Sequence, residues 1–222
     1  MFSDAQFSGG NAVFFEAEFS NGHAKFNNVQ FSGGYANFSK VQFSGGSADF
    51  SDAQFSGGSA HFIDTKFSGG HADFSDVQFS GGFASFREAK FSGGGAYFNR
   101  TQVSGGYANF FSAIFSADAN FRGAFFLKAC EFGQSYQPLA GCPIPGAEFR
   151  RRLNLRGAYF KGLADFSRVR FPDKAEDRNS AFEGARFFEP LDLKGVERLP
   201  FSAFHGIRLD KGLLLDSEHP VS

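Results

Sequence analysis

The stretch Ala48-Asp49-Phe50-Ser51-Asp52-Ala53-Gln54-Phe55-Ser56-Gly57-Gly58-Ser59 contains two phenylalanines whose spacing decides the fold. From there, in both directions, aromatic positions recur at alternating gaps of 5 and 7 from Phe2 to Phe115, with Val103 as the one substitution, so a 12-residue unit is present ten times. Two residues before nearly every Phe stands a small residue, such as Ala24, Ala36 and Ala48 or Val29, Ala53 and Thr65. A helix cannot use this pattern, because positions i and i+2 followed by a five-residue step do not share a 3.6-residue stripe. Each Gly of the Gly-Gly pair would also cost a helix about 1 kcal/mol. Short extended pieces fit, since residues two apart point to the same side of a strand. The reading is a parallel β-solenoid with Phe26, Phe31, Phe50, Phe55, Phe74 and Phe79 in its core.

The outward positions set the length of one coil. The residue before the second Phe of alternate units is Gln6, Gln30, Gln54, Gln78 and Gln102, whereas the interleaved set is Glu18, Gln42, Lys66, Lys90 and Ile114. The chemistry thus repeats every 24 residues, which predicts a coil of four sides of 5, 7, 5 and 7 residues. Like positions then stack one coil apart, and the glutamines are expected to form an amide ladder. The competing account is that the longer period records duplication alone; against it, a 12-residue coil is too narrow to enclose two phenyl rings.

The chain has 222 residues, 35 of them Phe and 28 Gly, with no Trp and a net charge of -1. A 42% apolar fraction is too high for a disordered chain, and no apolar run approaches a membrane span. The near-zero charge does not fit direct nucleic-acid binding, which needs a basic excess. No basic segment followed by an apolar run opens the chain, so a cytoplasmic location is expected.

Three segments are read along the chain. Residues 1–132 form the regular Phe/Gly-Gly solenoid. Residues 133–146 (GQSYQPLAGCPIPG) have no repeat phase and read as a projecting loop rich in Pro. Residues 147–222 resume as less regular coils of the same solenoid, interrupted by a charged loop at 172–179, with Phe182, Phe187, Leu193, Leu199, Phe204, Leu209 and Leu214 inward. Loss of Gly-Gly there predicts coils of about 20 residues. The regular start in mid-unit at Met1-Phe2 would leave an uncovered aromatic edge, so a head-to-head homodimer or end-to-end stacking is an expectation.

The units Ala48 to Asp52 (A-D-F-S-D) and Ala53 to Gly57 (A-Q-F-S-G) resemble the repeat of the pentapeptide-repeat proteins, in which a small residue precedes a polar one and a central Leu or Phe. The resemblance implies a bacterial, right-handed quadrilateral parallel β-helix, all-β, with the central and small residues inside. The sequence departs from that pattern by two extra residues in every second pentapeptide. The Gly-Gly pairs are expected to shape these wide corners through positive φ.

Little chemistry accompanies the repeats. His23, His61 and His71 stand at outward positions without a second ligand, so no metal and no cofactor is read. Cys130 and Cys142 are read as reduced, with Cys130 near the core. The Gly-Gly runs lack the Lys-Ser/Thr of a phosphate loop and the Asp of calcium-binding nonapeptides. Asn99-Arg100-Thr101 matches a glycosylation acceptor of a kind common by chance, and Arg150-Arg151-Arg152 reads as a solvated loop edge. No nucleophile–base set and no buried carboxylate pair is evident, so the chain is read as a non-enzyme.

Two surface features stand out. Asp49, Asp52, Asp73 and Asp76 should stack as acidic pairs, and tolerated like charges suit a basic partner. Tyr35, Phe83 and Tyr107 fall in one outward column near Phe15 and Phe111; either this column marks a protein contact or the wide corners fold it inward. The functional reading is a non-enzymatic scaffold or protein-interaction module with an unknown protein partner and no membrane role. Two alternatives stay open: the DNA-mimicking, topoisomerase-binding members of the resembled family, and an ice-binding solenoid, for which only Thr65 and Thr101 occur in the repeats.

Overall fold

A computed structural model of the chain describes residues 1–133, 145–174, 181–196, 199 and 201–215. It is a parallel β-solenoid of two-residue strands in four sheets. Sheet A runs from Gln6–Phe7 to Arg208–Leu209 and sheet B from Ala12–Val13 to Leu213–Leu214, nine strands each. Sheet C runs from Glu18–Phe19 to Glu148–Phe149 and sheet D from Ala24–Lys25 to Leu153–Asn154, six strands each. From Gln6 to Asn154 the described chain visits A, B, C and D in turn, so these coils are four-sided. Nine levels at about 4.8 Å make a rod roughly 40 Å long.

The 24-residue period is structural. Gln30 pairs in register with Gln54 and Gln54 with Gln78, and Ala36 with Ala60. Inside, the phenylalanines form four stacks along the rod. Phe26–Phe50 centroids lie 4.8 Å apart with planes 4° from parallel, and Phe62–Phe86 4.8 Å apart at 2°. Between stacks the rings meet edge to face, as at Phe50–Phe62 (5.3 Å, 90°). Each ring therefore gains both favoured aromatic geometries, on top of roughly 1.5–3 kcal/mol from burying its apolar surface. Thr65 and Thr101 take small-residue positions in this interior and are buried. Their hydroxyls donate to the Phe38 and Phe74 carbonyls, 2.7 Å in each case.

The corners correct the expected role of glycine. Left-handed backbone falls on the two-residue corners between B and C and between D and A, mostly on non-glycine residues: Asn28, Lys40, Asp52, Asp64, Asp76, Glu88 and Arg100 have φ of 52–60°. Of the Gly-Gly pairs, only the first has a glycine with positive φ, Gly10; Gly22, which follows Asn21 at the other wide corner of the first coil, also has one. What the other pairs supply is closeness. A Cβ on Gly81 would lie 2.1 Å from the Gly57 carbonyl oxygen, and one on Gly57 2.0 Å from that of Gly33. The backbones of successive wide corners pack directly on one another, which only glycine permits.

Towards the C-terminus the coil contracts, and the contraction stops at 22 residues rather than about 20: Phe187 pairs with Leu209 and Leu191 with Leu213. The four-residue Ser-Gly-Gly-x corner is replaced by a three-residue one, as in Asp210-Lys211-Gly212. The inward step after Leu209 is therefore to Leu213, and Leu214 stacks with outward Asp192 instead of pointing inward. The pairings Phe115–Phe149 and Cys130–Ala164 span 34 residues, so they bracket the 133–146 segment, of which 134–144 lie outside the described residues. Much of the expected 172–179 loop also lies outside them. Among the described residues no helix is long and apolar enough to cross a membrane.

Candidate interaction surfaces

The four sheets present four lateral faces, and the residue between each inward pair points out from its strand. On sheet A the glutamines stack in register but are exposed, and no hydrogen bond joins Gln30, Gln54 and Gln78. The expected amide ladder is absent because water serves these amides equally well.

The aromatic column lies at the corner between sheets A and B. Tyr35 and Tyr107 are 39% and 40% exposed and Phe83 is half-buried, so the wide corner neither hides nor fully releases them. Phe83 and Tyr107 stack at 5.3 Å. His61, from the neighbouring strand position, fills the level between Tyr35 and Phe83, edge-on to both at 5.7 and 5.1 Å. Burial among these rings lowers the His61 pKa below its usual value, favouring the neutral imidazole. Four rings thus form one ridge over about three coil steps. The sequence reading set His61 apart as a lone histidine; its signal was its place one residue after the Ala that follows this column. Phe15, 46% exposed, lies at the opposite edge of sheet B with Lys40 5.3 Å above its ring.

The aspartates on sheet D have local structural work. Asp49 and Asp73 are register partners, and each Oδ1 accepts the backbone N–H two residues on, from Ser51 at 3.0 Å and Ser75 at 2.9 Å. Asn37, Asn109, Asn120 and Asn154 make the same bond at equivalent positions. Asp52 and Asp76 hold the left-handed corner position, for which Asp has more tolerance than most residues. Asp76 also pairs with Arg100, whose Nε donates to Oδ1 at 2.8 Å and whose pKa this bond raises further.

Other features were not singled out from sequence. A second outward stack on sheet A joins Phe125, Tyr159 and Phe188 at 4.5 Å per step, with Arg186 over Phe188 at 4.2 Å. A charged depression of about 370 Å³ on sheet C and its B-side corner is lined by Glu16, Glu18, Lys40, Gln42, Asp64 and Lys66, bridged by Lys40–Glu16 at 3.2 Å. The depression follows from the 24-residue register alone, whereas Phe125 comes to lie below Tyr159 only through the shortened coils. Among the described residues no group of three or more His, Cys, Asp and Glu is placed to hold a metal ion. Cys130 is fully buried with a free thiol, and burial pushes its pKa well up. Cys142 lies outside the described residues.

No protein-family model, curated protein or solved structure matches the chain.

Proposed function

We propose that the chain is a non-enzymatic scaffold or protein-interaction module, built on a pentapeptide-repeat type of β-helix, whose aromatic corner contacts a protein partner. One observation supports this above others: the ridge of Tyr35, His61, Phe83 and Tyr107 is continuous and outward, and its two tyrosines are about two-fifths exposed. Nothing in the core's packing requires rings there, because the inward stacks are complete without them. Tyrosines on a rigid frame offer apolar contact area with a polar tip at little cost in conformational entropy.

The acidic face lends less support to DNA mimicry. Its aspartates are engaged in turns or with Arg100, and the same face turns basic beyond Tyr97. An ice-binding array is not supported by the threonines, since Thr65 and Thr101 point inward. The test is quantitative capture of partners from the source cell by the intact chain and by a Tyr35→Ser/Phe83→Ser/Tyr107→Ser variant. The reading requires that a partner bound by the former be lost by the latter with the fold intact, as judged by circular dichroism. Equal capture by both would sink it.

A further inference from the structure

We propose that the later part of sheet A, with the two corners beside it, is a basic aromatic surface that binds an acidic, extended segment of a protein partner. This surface is separate from the aromatic ridge and stands whatever the ridge binds.

Charge is distributed unevenly around the rod. Residues 119–130 and 153–164 occupy successive levels from sheet D across sheet A to sheet B, with Asn120 on Asn154, Phe125 on Tyr159 and Cys130 on Ala164. Neither stretch contains Asp or Glu, and together they carry Arg122, Lys128, Arg156 and Lys161, all exposed. The level below, residues 96–108, adds Arg100 and again no acid. Arg122 and Arg156 continue the Ser75 and Asn99 column at the corner between sheets D and A. The adjoining left-handed column has its last acid at Asp76, then passes through Arg100 to Gly123 and Gly157. Lys128 and Lys161 stand at the other side, on the corner between A and B. Glu183, one level up, pairs with Arg156 at 3.2 Å. Among the described residues no ion pair or hydrogen bond holds the side chains of Arg122, Lys128 and Lys161. The acids next in sequence lie off this face, Asp118 at the far corner of sheet D and Glu131 on sheet B, where Asn109 donates to it at 3.0 Å.

Between the two cation columns stand Phe125 and Tyr159, half-buried and stacked 4.5 Å apart with planes 19° from parallel. Phe188 covers the far side of Tyr159 at 4.5 Å, and Gln102 is the register partner beneath Phe125. Ring faces are thus taken up within the column, and ring edges turn to solvent. Those edges carry the positive part of the aromatic quadrupole, so they suit an anion. The guanidinium and ammonium groups around them donate hydrogen bonds and cannot accept. A ligand for this surface therefore brings negatively charged acceptors together with some apolar area. Carboxylates fit the guanidinium fork with two parallel bonds. Single-stranded nucleic acid also brings charge, but it stacks its bases on aromatic faces, which this column does not offer. A protein segment with apolar residues set among Asp and Glu meets every one of these features. Since the whole chain has a net charge of -1, the rest of it is net acidic, and an anionic segment is steered to this face alone.

Fluorescence anisotropy with the full chain and a labelled decapeptide of alternating Glu and Leu tests this at about 50 mM and about 500 mM salt, since contacts of exposed charges weaken as the screening length shortens. The peptide should bind at low salt and roughly tenfold or more weakly at high salt, and its analogue with Gln for Glu should not bind. Arg122→Glu/Lys161→Glu should weaken binding by roughly tenfold or more. Both columns already hold an acid, at Glu183 and at Asp210, so the fold should hold, as checked by circular dichroism. Arg122→Gln/Lys161→Gln repeats the test without adding acid. Lys25→Glu/Lys66→Glu makes the same change of net charge on sheets D and C and should leave binding within about twofold. No binding at low salt, equal binding of the Gln analogue, unchanged binding in both variants of Arg122 and Lys161, or an equal loss in the Lys25 and Lys66 variant would each overturn the proposal. Tighter binding of a short oligothymidylate than of the peptide would overturn it as well and assign the surface to nucleic acid. The ridge variant Tyr35→Ser/Phe83→Ser/Tyr107→Ser should bind the peptide as the parent chain does, so failure of one surface is told apart from failure of the other.

Discussion

Gly81→Ala separates two accounts of why the wide corners contain Gly-Gly. If glycine were needed there for left-handed backbone, every first glycine of the pair would resist alanine to a similar degree. The structure instead makes the cost depend on what lies beneath. At Gly81 the new methyl would stand 2.1 Å from the Gly57 oxygen and 2.7 Å from that of Gly58. Both are backbone atoms, and they cannot swing aside as a side chain would. The corner must lift, which strains the bonds from Gly81 N–H to the Phe55 carbonyl and from Gly82 N–H to the Gly58 carbonyl, both 3.0 Å. Overpacking of this kind costs about 1–3 kcal/mol, and each weakened hydrogen bond up to about 1 kcal/mol. Against this, alanine restricts the unfolded chain and returns about 0.4–1 kcal/mol, because the φ at Gly81 is not positive. The net expectation is a loss of about 2–3 kcal/mol, or roughly 5–10 °C in melting temperature for a chain of this size. Gly9 occupies the same position in the first coil, with nothing within 4 Å of its Cβ and no positive φ. Gly9→Ala should therefore leave stability unchanged or slightly raised. Chemical denaturation of both variants against the parent chain decides the matter: equal destabilisation at the two sites, or none at Gly81, refutes the close-approach account.

Three further outcomes follow from local structure. Glu88 holds the left-handed corner at φ 60°, a position taken by Gly123 and Gly157 in the later coils' D–A corners, so Glu88→Gly should raise stability by about 0.5–1 kcal/mol in urea titrations. Asp165 is buried and its pKa is raised, chiefly by burial and further by Asp192, with the hydroxyl and backbone of Ser167, then Lys194, acting the other way. The folded chain thus holds this proton more tightly than the unfolded one, so this group's contribution weakens the fold as pH climbs from the ordinary aspartate range through the raised value. Asp165→Asn, which keeps the Oδ1 acceptor for Ser167 N–H, should stabilise at neutral pH and lose that advantage in acid, as read from unfolding midpoints across pH. Finally, iodoacetamide should leave Cys130 unmodified in the native chain and label it on unfolding, by peptide mass mapping, because its buried thiol ionises only well above the usual cysteine range.

The columns were legible from sequence because a solenoid turns periodicity directly into neighbourhood. Gln30 above Gln6 and Ala60 above Ala36 follow from counting, and so do the four Phe stacks. The exact length of the late coils was less legible, since it depends on corner geometry: a three-residue corner is one residue longer than the plain pentapeptide turn, and sequence spacing in the Leu-rich end fits either. The role of Gly-Gly was hidden for another reason. A close approach between corners 24 residues apart is a tertiary fact, whereas positive φ is a local habit of glycine and the first thing its presence brings to mind. The strained positions went unseen because Lys40, Glu88 and Arg100 carry no residue-type signal for left-handed backbone; the tertiary stack imposes it on them. Of the candidate sites, the aromatic column was visible from its spacing. The bonds that bind Asp49 and Asp73 into their turns were not, and they supply a structural reason for acids there that spacing could not.

Those bonds bear on how a face of stacked charge persists. Two aspartates one coil apart repel, yet each is fixed by a backbone N–H, and the serine hydroxyl of Ser51 also donates to Asp49. A carboxylate that accepts two such bonds has its charge partly met within its own turn, so the neighbouring coil feels less of it. Asparagine fills the same role at Asn120 and Asn154, so the fold is indifferent to whether this column carries charge. The interior fixes where each outward side chain stands, and the turn chemistry lets that side chain be acid or amide at similar cost. The change from acid at Asp73 to amide at Asn120 along sheet D therefore costs the fold little, and the choice is left to whatever that face meets.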